Sequence, residues 1–543
     1  MLTQFLQTFQ QTVPMAPWSL QSLPNFPYLR WMEEKGKYNL YEQWYEGDAL
    51  EVITVDAKGN RTEKYPIQLN PIKSTVRKHT SVLFGTNVES IAFGGVPVTF
   101  LPDTMQEKMA KAQDTEDPAG DKKEDSSEKK QEKRISSALI KVWADNGGGS
   151  LFFQNGSLAQ YMGGCVFAAK WKPDQGRIEI TNPHPKEFIG IPEGRDYWRL
   201  RECWIVQELN VEDLRSYNVE GVPPVEGSPG LYYYIEHWTK TSYDVTINGK
   251  PVLDDNNQPY GGSHPWGVVP VIYIPHIRTG TKFLGESMIT KSVRGIIREY
   301  NSAWADVGDS VNDDSHPLIA MNNVRGTPVV VKVDNRNVVS LGSSTGLTAG
   351  EGKPDLFGVK IGSTSAPMLD YGNKLENEYR KETDHPAVAD GQDEGSQRSS
   401  LTLVTRMWPL VSHSDTERIF WSVGLAYFSK ILLTMMADKG LYDIVQGDES
   451  IPLVIQWRPM LPKDRVEIIN EIAIRDSTET ASKQHLMMLA GDIRDPEAML
   501  DEIREEKMAQ SEMDQQNLEA TSAISAKYAP KPAPSKGGGS SSS

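Results

Sequence analysis

Residues 265–318 read PWGVVPVIYIPHIRTGTKFLGESMITKSVRGIIREYNSAWADVGDSVNDDSHPL, and the fold turns on how that stretch divides. Val268 to Ile274 is apolar, rich in β-branched residues and bounded by prolines, which predicts a strand. A loop with Gly280 and Gly285 follows, and Glu286 and Ser287 stand where the first free N–H groups of a helix would need acceptors. Ile289, Val293, Ile296, Ile297, Tyr300, Trp304, Val307 and Val311 then recur at steps of three and four, on one helical face. Lys291, Arg294, Arg298, Glu299, Asp306 and Asp309 fall on the other. Such a helix would be roughly 40 Å long and would stop at His316-Pro317. It carries no catalytic constellation and reads as architecture.

Working outward, 543 residues exceed one compact core and predict two to four domains. The 73 acidic and 57 basic side chains leave a net charge of −16. That balance argues against gripping nucleic acid over the whole surface and permits a wall past which nucleic acid slides. Cys165 and Cys203 belong to no metal or disulfide spacing, which fits a reducing compartment. No apolar run is expected to reach membrane-spanning length, and the first residues lack the layout of a signal peptide; the expectation is a soluble protein that is not secreted.

Toward the N-terminus, Trp18, Pro24, Phe26, Pro27 and Tyr28 suggest an arm that docks on something larger. Tyr38, Tyr41, Trp44 and Tyr45 predict a short helix ending at Gly47, and residues 71–84 a second one stopped by Gly85. Residues 114–134 hold eight acidic and six basic side chains and read as an exposed insertion, either a charged helix or disorder. A helix is expected over Ile135–Trp143. Residues 147–240 read as β-rich, and Asn248-Gly249 as a tight hairpin turn.

Beyond the opening stretch, short strands are expected within 326–363 and a helix over Ala366–Thr383 with Leu369, Leu375 and Tyr379 on its apolar side. Residues 384–400 are polar and read as a loop without an apolar anchor. A segment from Leu401 to Ala437 would form a helix of roughly 55 Å, kinked at Pro409. Ile451–Trp457 is a further strand. Asp476 with Glu479 has the capping-box pattern for a helix, and the last residues, PKPAPSKGGGSSSS, are low-complexity.

Several sharper motifs fail on their context. Gly342-Ser343-Ser344-Thr345-Gly346 matches a nucleophile elbow, yet no helix can begin after it. No Gly-Lys-Ser/Thr is present for a phosphate-binding loop. His184, His237, His264, His276, His316, His385, His413 and His485 follow no HExxH spacing, so neither a zinc site nor any other metal or cofactor is expected. Asp254-Asp255, Asp313-Asp314 and Asp393-Glu394 read as solvated turns, and Met407, Trp408, Met435 and Met436 as packing residues.

Taken in order, these elements resemble the portal proteins of tailed double-stranded DNA bacteriophages. The resemblance is carried by Tyr41-Glu42, Tyr45-Glu46-Gly47-Asp48, Leu83-Phe84-Gly85, Gly163-Gly164, Pro265 through Val271, and Gly285-Glu286-Ser287. It continues in Ser399-Ser400-Leu401-Thr402-Leu403, where the family commonly has Ser-Gly, and in Pro462-Lys463-Asp464, Ser477-Thr478-Glu479-Thr480 and Asp495-Pro496-Glu497. The resemblance implies an α+β portal fold assembled as a ring, typically of twelve copies. It divides the chain into an N-terminal arm and wing (1–284, insertion 114–134), stem helix 1 (285–312), clip (313–365) and stem helix 2 (366–383). A tunnel loop (384–400), a long kinked wing helix with the wing strand (401–476), a crown (477–528) and a disordered tail (529–543) complete it.

The same resemblance implies a non-enzymatic virion component at the capsid vertex and head–tail interface, assembled in the host cytoplasm. It would nucleate head assembly, dock the terminase large subunit and the head–tail adaptor, contact the major capsid and scaffolding proteins, and pass double-stranded DNA. Candidate DNA-channel residues are Lys381, His385, Gln392, Gln397 and Arg398. The competing class is a multidomain metal-dependent hydrolase or nuclease, whose carboxylates would bind the ion.

Overall fold

The computed structural model describes most of residues 19–478. Outside it lie 51–52, 56–60, 64–67, 86–95, 103–124, 254–256, 316–317, 325–329, 334–335, 343–354, 360–364, 393–399, 462–464 and the single positions 218, 220, 224, 229 and 459. Only scattered positions beyond 478 are described, and Ser343 to Gly346 of the elbow-like motif, Asp254-Asp255, Asp393-Glu394, Gln397, Arg398, most of the expected crown and the tail lie outside the described residues.

The elements in chain order are α1 (Tyr28–Glu46), β1 (Ile53–Val55), β2 (Arg61–Glu63), α2 (Ile72–Phe84), β3 (Val98–Pro102), α3 (Asp125–Asp145), α4 (Gly149–Met162), β4 (Gly164–Lys172) and β5 (Arg177–Thr181). Then come β6 (Phe188–Glu193), β7 (Asp196–Leu209), β8 (Tyr232–Thr239), β9 (Ser242–Ile247), β10 (Lys250–Pro251), β11 (Gly261–Ser263), β12 (Val271–Pro275) and α5 (Lys291–Ser315). They are followed by β13 (Leu318–Val324), β14 (Val330–Val333), β15 (Arg336–Gly342), β16 (Asp355–Val359), α6 (Ser365–Glu382), α7 (Ser400–Lys439), β17 (Leu453–Trp457) and α8 (Arg465–Ser477). The mixture is α+β, as the sequence predicts.

Through Leu461 the chain forms one compact unit; Pro462–Ser543 is a second, represented mainly by α8. In the first, β4 sits centrally between β12 and β5, antiparallel to both. A separate antiparallel sheet runs β10-β9-β8-β7-β6, with β11 added to β9. Asn248 and Gly249 both have positive φ, 45° and 76°, the geometry of the tight turn expected between β9 and β10. A four-stranded sheet, β14-β15-β13-β16, lies in sequence between α5 and α6. Its one parallel pair is β13 with β15.

The main core is built where α7 crosses the three-stranded sheet. Trp421, Leu425, Phe428, Leu432, Met435 and Met436 of α7 are fully buried among Phe152, Phe167 and Ile274. Each such side chain contributes about 1.5–3 kcal/mol on leaving water. Val404–Lys439 is long and apolar enough to cross a membrane by composition alone, contrary to the sequence expectation. The reason is burial on several sides at once, which removes the polar face from a helix. Gly424 permits the crossing, because a Cβ there would stand 2.7 Å from Ile274. Trp408 is 60% exposed and so is no packing residue within the chain, unlike Met407, Met435 and Met436.

Several expected boundaries move. Residues 149–162 form helix α4, not strand, and its Gly156 lies against Phe84 closely enough that a Cβ would be 2.4 Å away. The charged insertion ends in the first turns of α3, where Glu132 is buried and Arg134 pairs with the buried Asp448 at 2.9 Å. Asp313-Asp314 lies in α5, not in a turn, and Asp476 lies inside α8, not at a helix start. The described part of the N-terminal arm docks on the chain itself: Leu20, Phe26 and Trp31 cover Ile189, Trp204 and Ile235.

Helix α5 starts at Lys291, not near Glu286. Thr290 is its cap, its Oγ1 accepting from the Val293 N–H at 3.2 Å. Ser287 is used elsewhere. Its hydroxyl donates to the Tyr161 carbonyl at 2.6 Å, while the Met288 N–H donates to the Gln160 carbonyl at 2.9 Å. The buried Tyr273 hydroxyl donates to the Gly163 carbonyl at 3.1 Å and accepts from the Gly285 N–H at 3.2 Å. The end of α4 thus clasps the whole segment from β12 to α5. A Cβ on Gly285 would lie 2.2 Å from the Gly163 carbonyl oxygen, so the clasp closes only on glycine.

Gly285→Ala should therefore destabilise the protein by about 1–3 kcal/mol or more, since backbone must give way. Gly295→Ala, inside α5 with nothing within 4 Å of its Cβ, should stabilise by about 0.5–1 kcal/mol. Thermal unfolding midpoints moving in opposite directions for the two variants check the reading.

Candidate functional site

Helices α5 and α6 lie alongside each other and run in opposite directions. Ile297 shares a core with Tyr379, while Trp304 lies against Gly372. As the number rises on α5 it falls on α6. The segment after α6 was expected to be a free loop, but its first half is tied down. Thr383 and His385 are buried, the His385 N–H returns to the Arg380 carbonyl at 2.9 Å, and a short 3-10 turn, Ala387–Asp390, ends at Gly391 with φ 76°. Val388 and Ala389 pack against Val82, Met407 and Leu410, the apolar anchor missing from the sequence reading.

Asp390 is the knot of this turn. It accepts from Lys78, from His385 Nε2 at 3.0 Å, and lies 3.5 Å from the Arg380 guanidinium. Burial alone would raise its pKa, but the bonds from Lys78 and His385 outweigh that and hold the carboxyl below its ordinary range. Of the five channel candidates, Lys381 is exposed and paired with Glu378 at 2.6 Å, and Gln392 is exposed with its Oε1 accepting from Arg380 at 2.9 Å. His385 is 2% exposed and committed to Asp390, so it offers no group to solvent.

Inward from His385 lies a row of histidines that no spacing announced. His385 stacks on His79 with ring centres 5.7 Å apart, and His79 meets His413 edge-on at 5.1 Å. His413 Nε2 stands 3.1 Å from His276 Nε2, and Glu417 Oε1 stands 3.3 Å from the same nitrogen. Helix geometry puts His413 and Glu417 on one face of α7, four residues apart. His276 follows β12 directly and donates Nδ1–H to the Glu286 carbonyl at 2.9 Å. His413 donates Nδ1–H to Asp384 Oδ2 at 3.0 Å, and Gln160 donates to Glu417 Oε2 at 2.6 Å. The sequence reading passes over His79 altogether, and the other members are 137 or more residues from His276 or on separate elements.

Burial governs the charges here. It pushes His276 down to about 3, helped by His413, and lifts Glu417 to about 8 against the pull of His413 and Gln160. His79 is held neutral by burial, and neither of its ring nitrogens has a hydrogen-bond partner. For His413 burial is outweighed by the bond to Asp384 and the nearness of Glu417, and its pKa rises.

With this geometry in view, the comparison with known families is direct. Residues 231–513 match the family Phage portal protein, SPP1 Gp6-like, which takes in α5, α6, the sheet between them and α7. The chain belongs to the phage portal proteins. Members of this family are structural, non-enzymatic components of the virion at the capsid. No curated protein matches the chain.

The knot predicts that Asp390→Asn loosens the turn. Amide exchange over 384–392 should quicken several-fold, in line with about 1 kcal/mol for partly exposed ion pairs. Because the folded pKa is lowered, this stabilisation is complete above the ordinary carboxyl range and fades as pH falls through the lowered value. The difference between variant and wild type should vanish in acid, as measured by exchange at several pH values.

Proposed function

We propose that the chain assembles into the ring at a phage capsid vertex through which DNA is packaged and ejected. The observation that carries this reading is the portal-family match over 231–513. In this reading 1–284 and 401–476 build the wing, α5 and α6 are the stem, and the sheet β13–β16 is the clip. The residues from 477 build the crown, and 384–400 is the tunnel loop. The ring nucleates head assembly with the major capsid and scaffolding proteins and docks the terminase large subunit and later the head–tail adaptor. It has no chemistry of its own.

Two features support it. The antiparallel helix pair carries a small sheet between its members, as a stem with a clip requires. Helix α7 also leaves an apolar stripe in solvent: Val404, Trp408, Ile419 and Val423 are 43–64% exposed, within about 100° of one another around the axis. A second copy of the chain packing side by side is the occupant a ring supplies. The reading as a metal-dependent nuclease is disfavoured by position, because Glu417 is fully buried and His276 nearly so. No polymer reaches them. Lys381 is offset by Glu378, so DNA meets a wall of weak contacts, fitting passage more than grip.

Native mass measurement tests the ring: twelve chains of 60.6 kDa give a particle of about 730 kDa. Trp408→Glu with Ile419→Glu should shift it to monomers while the fold persists. A wild-type monomer would overturn the proposal. Replacing 393–399 with a glycine–serine linker, which leaves the Asp390 knot intact, should give rings whose heads fail to fill or leak. Heads that fill and retain DNA as the parent does would remove the loop from the conduit.

A further inference from the structure

The buried junction of His276, His413 and Glu417 has an arithmetic problem in its hydrogen bonds. The Glu286 carbonyl can only accept, so the proton of His276 must sit on Nδ1. Asp384 is half exposed and, as a carboxylate, also accepts, so the proton of His413 sits on Nδ1 as well. With both imidazoles neutral, as metal binding requires, the two Nε2 atoms present lone pairs to each other across 3.1 Å. A carboxyl oxygen, Glu417 Oε1, faces His276 Nε2 at 3.3 Å, and it has no other hydrogen-bond partner. When Glu417 is ionised as well, three lone pairs converge on one point inside the protein, and either a proton or a metal ion must stand among them. Arg418, next to Glu417 in the chain, is spent on the Leu83 carbonyl at 2.7 and 2.9 Å.

We propose that His276, His413 and Glu417 bind one divalent first-row metal ion of the Zn2+ type. The three donor atoms lie within 4.8 Å of one another. Four tetrahedral donors each about 2.0–2.1 Å from zinc are about 3.3 Å apart, and the two closest separations here, 3.1 and 3.3 Å, match that edge. The donor set, two imidazoles and one carboxylate, is one that borderline ions take and that Ca2+ and Mg2+ do not favour. The outer contacts are those of a metal centre: each imidazole gives its far N–H to a carbonyl or carboxylate, and the far oxygen of Glu417 is fixed by Gln160 at 2.6 Å.

Such an ion would join the segment after β12 to α7 and, through Asp384, to the turn that opens the loop after α6. It is structural: His276 and Glu417 are buried and His413 nearly so, leaving no path for a substrate. The inference stands on this chain's own geometry and holds whether or not rings form.

The test uses the full chain, stripped with a chelator, then titrated with Zn2+ alone against a chromophoric competitor, with elemental analysis after dialysis. One zinc per chain, a rise in the thermal midpoint on adding it, and a tetrahedral visible spectrum with Co2+ are expected. Glu417→Gln should lose the site. Should that variant fail to fold, Asp384→Asn, changed at a half-exposed position, should weaken zinc by about 10–100-fold while leaving the fold intact. Folded wild type that retains no zinc would overturn the proposal and leave a shared proton between the imidazoles. Zinc bound equally well by wild type and both variants would also overturn it, as binding by surface histidines only.

Discussion

The structure depends on a backbone-to-backbone contact at the end of α4. Gly163 leaves the helix with φ 86° and its carbonyl receives the Tyr273 hydroxyl and the His276 N–H, at 3.1 and 3.0 Å. Gly164 and Gly285 close around the same tyrosine, with no room for a side chain on either. Hydrogen bonds between fixed main-chain groups are directional in a way that apolar burial is not, so this contact sets the angle at which the chain leaves β12 and enters α5. Whatever α5 and α6 do far from the core is aimed from here.

Around that contact the interior divides into two kinds of packing. On one side aromatic rings dominate: Trp143, Phe152, Phe167, Trp421 and Phe428 meet one another with centres 4.6–6.5 Å apart. On the other lie the histidines with Glu417 and Gln160. Apolar packing tolerates rearrangement at constant volume, whereas a polar group in the interior demands its one partner. Arg418 is an instance. Its guanidinium takes the last-turn carbonyl of α2 at Leu83 and lies 5.0 Å over the Trp457 ring, fixing α7 against two elements at once.

How much of this could be read from the residues varies with the length over which the signal is spread. The ends of α2, the hairpin at Asn248-Gly249 and the strand β12 rest on local patterns and come out at or near their expected places. The start of α5 does not, because Ser287 has the right chemistry for a cap and spends it on Tyr161. Residues 149–162 misled for a different reason: glycines that look like turn signals serve close packing inside a helix. The loop after α6 looked unanchored since Val388 and Ala389 are only two small apolar residues, meaningful solely against α2 and α7. The histidine row was beyond reach. Its members come from α2, the segment after β12, the turn after α6 and α7, and only the fold brings them within a few ångströms.

One pairing has a consequence for how such a chain is made. Strand β3 has a single partner among the described strands, β17, with Val98 opposite Trp457. During synthesis β3 leaves the ribosome some three hundred and fifty residues before its partner exists. At roughly 5–20 residues per second, it waits on the order of tens of seconds with an unpaired edge. Phe100, fully buried in the finished protein, lacks its cover from β17 for that interval. The two-stranded sheet is therefore a latch: the first compact unit cannot be closed until residue 457 has been added, and a chain that stops short keeps a sticky edge.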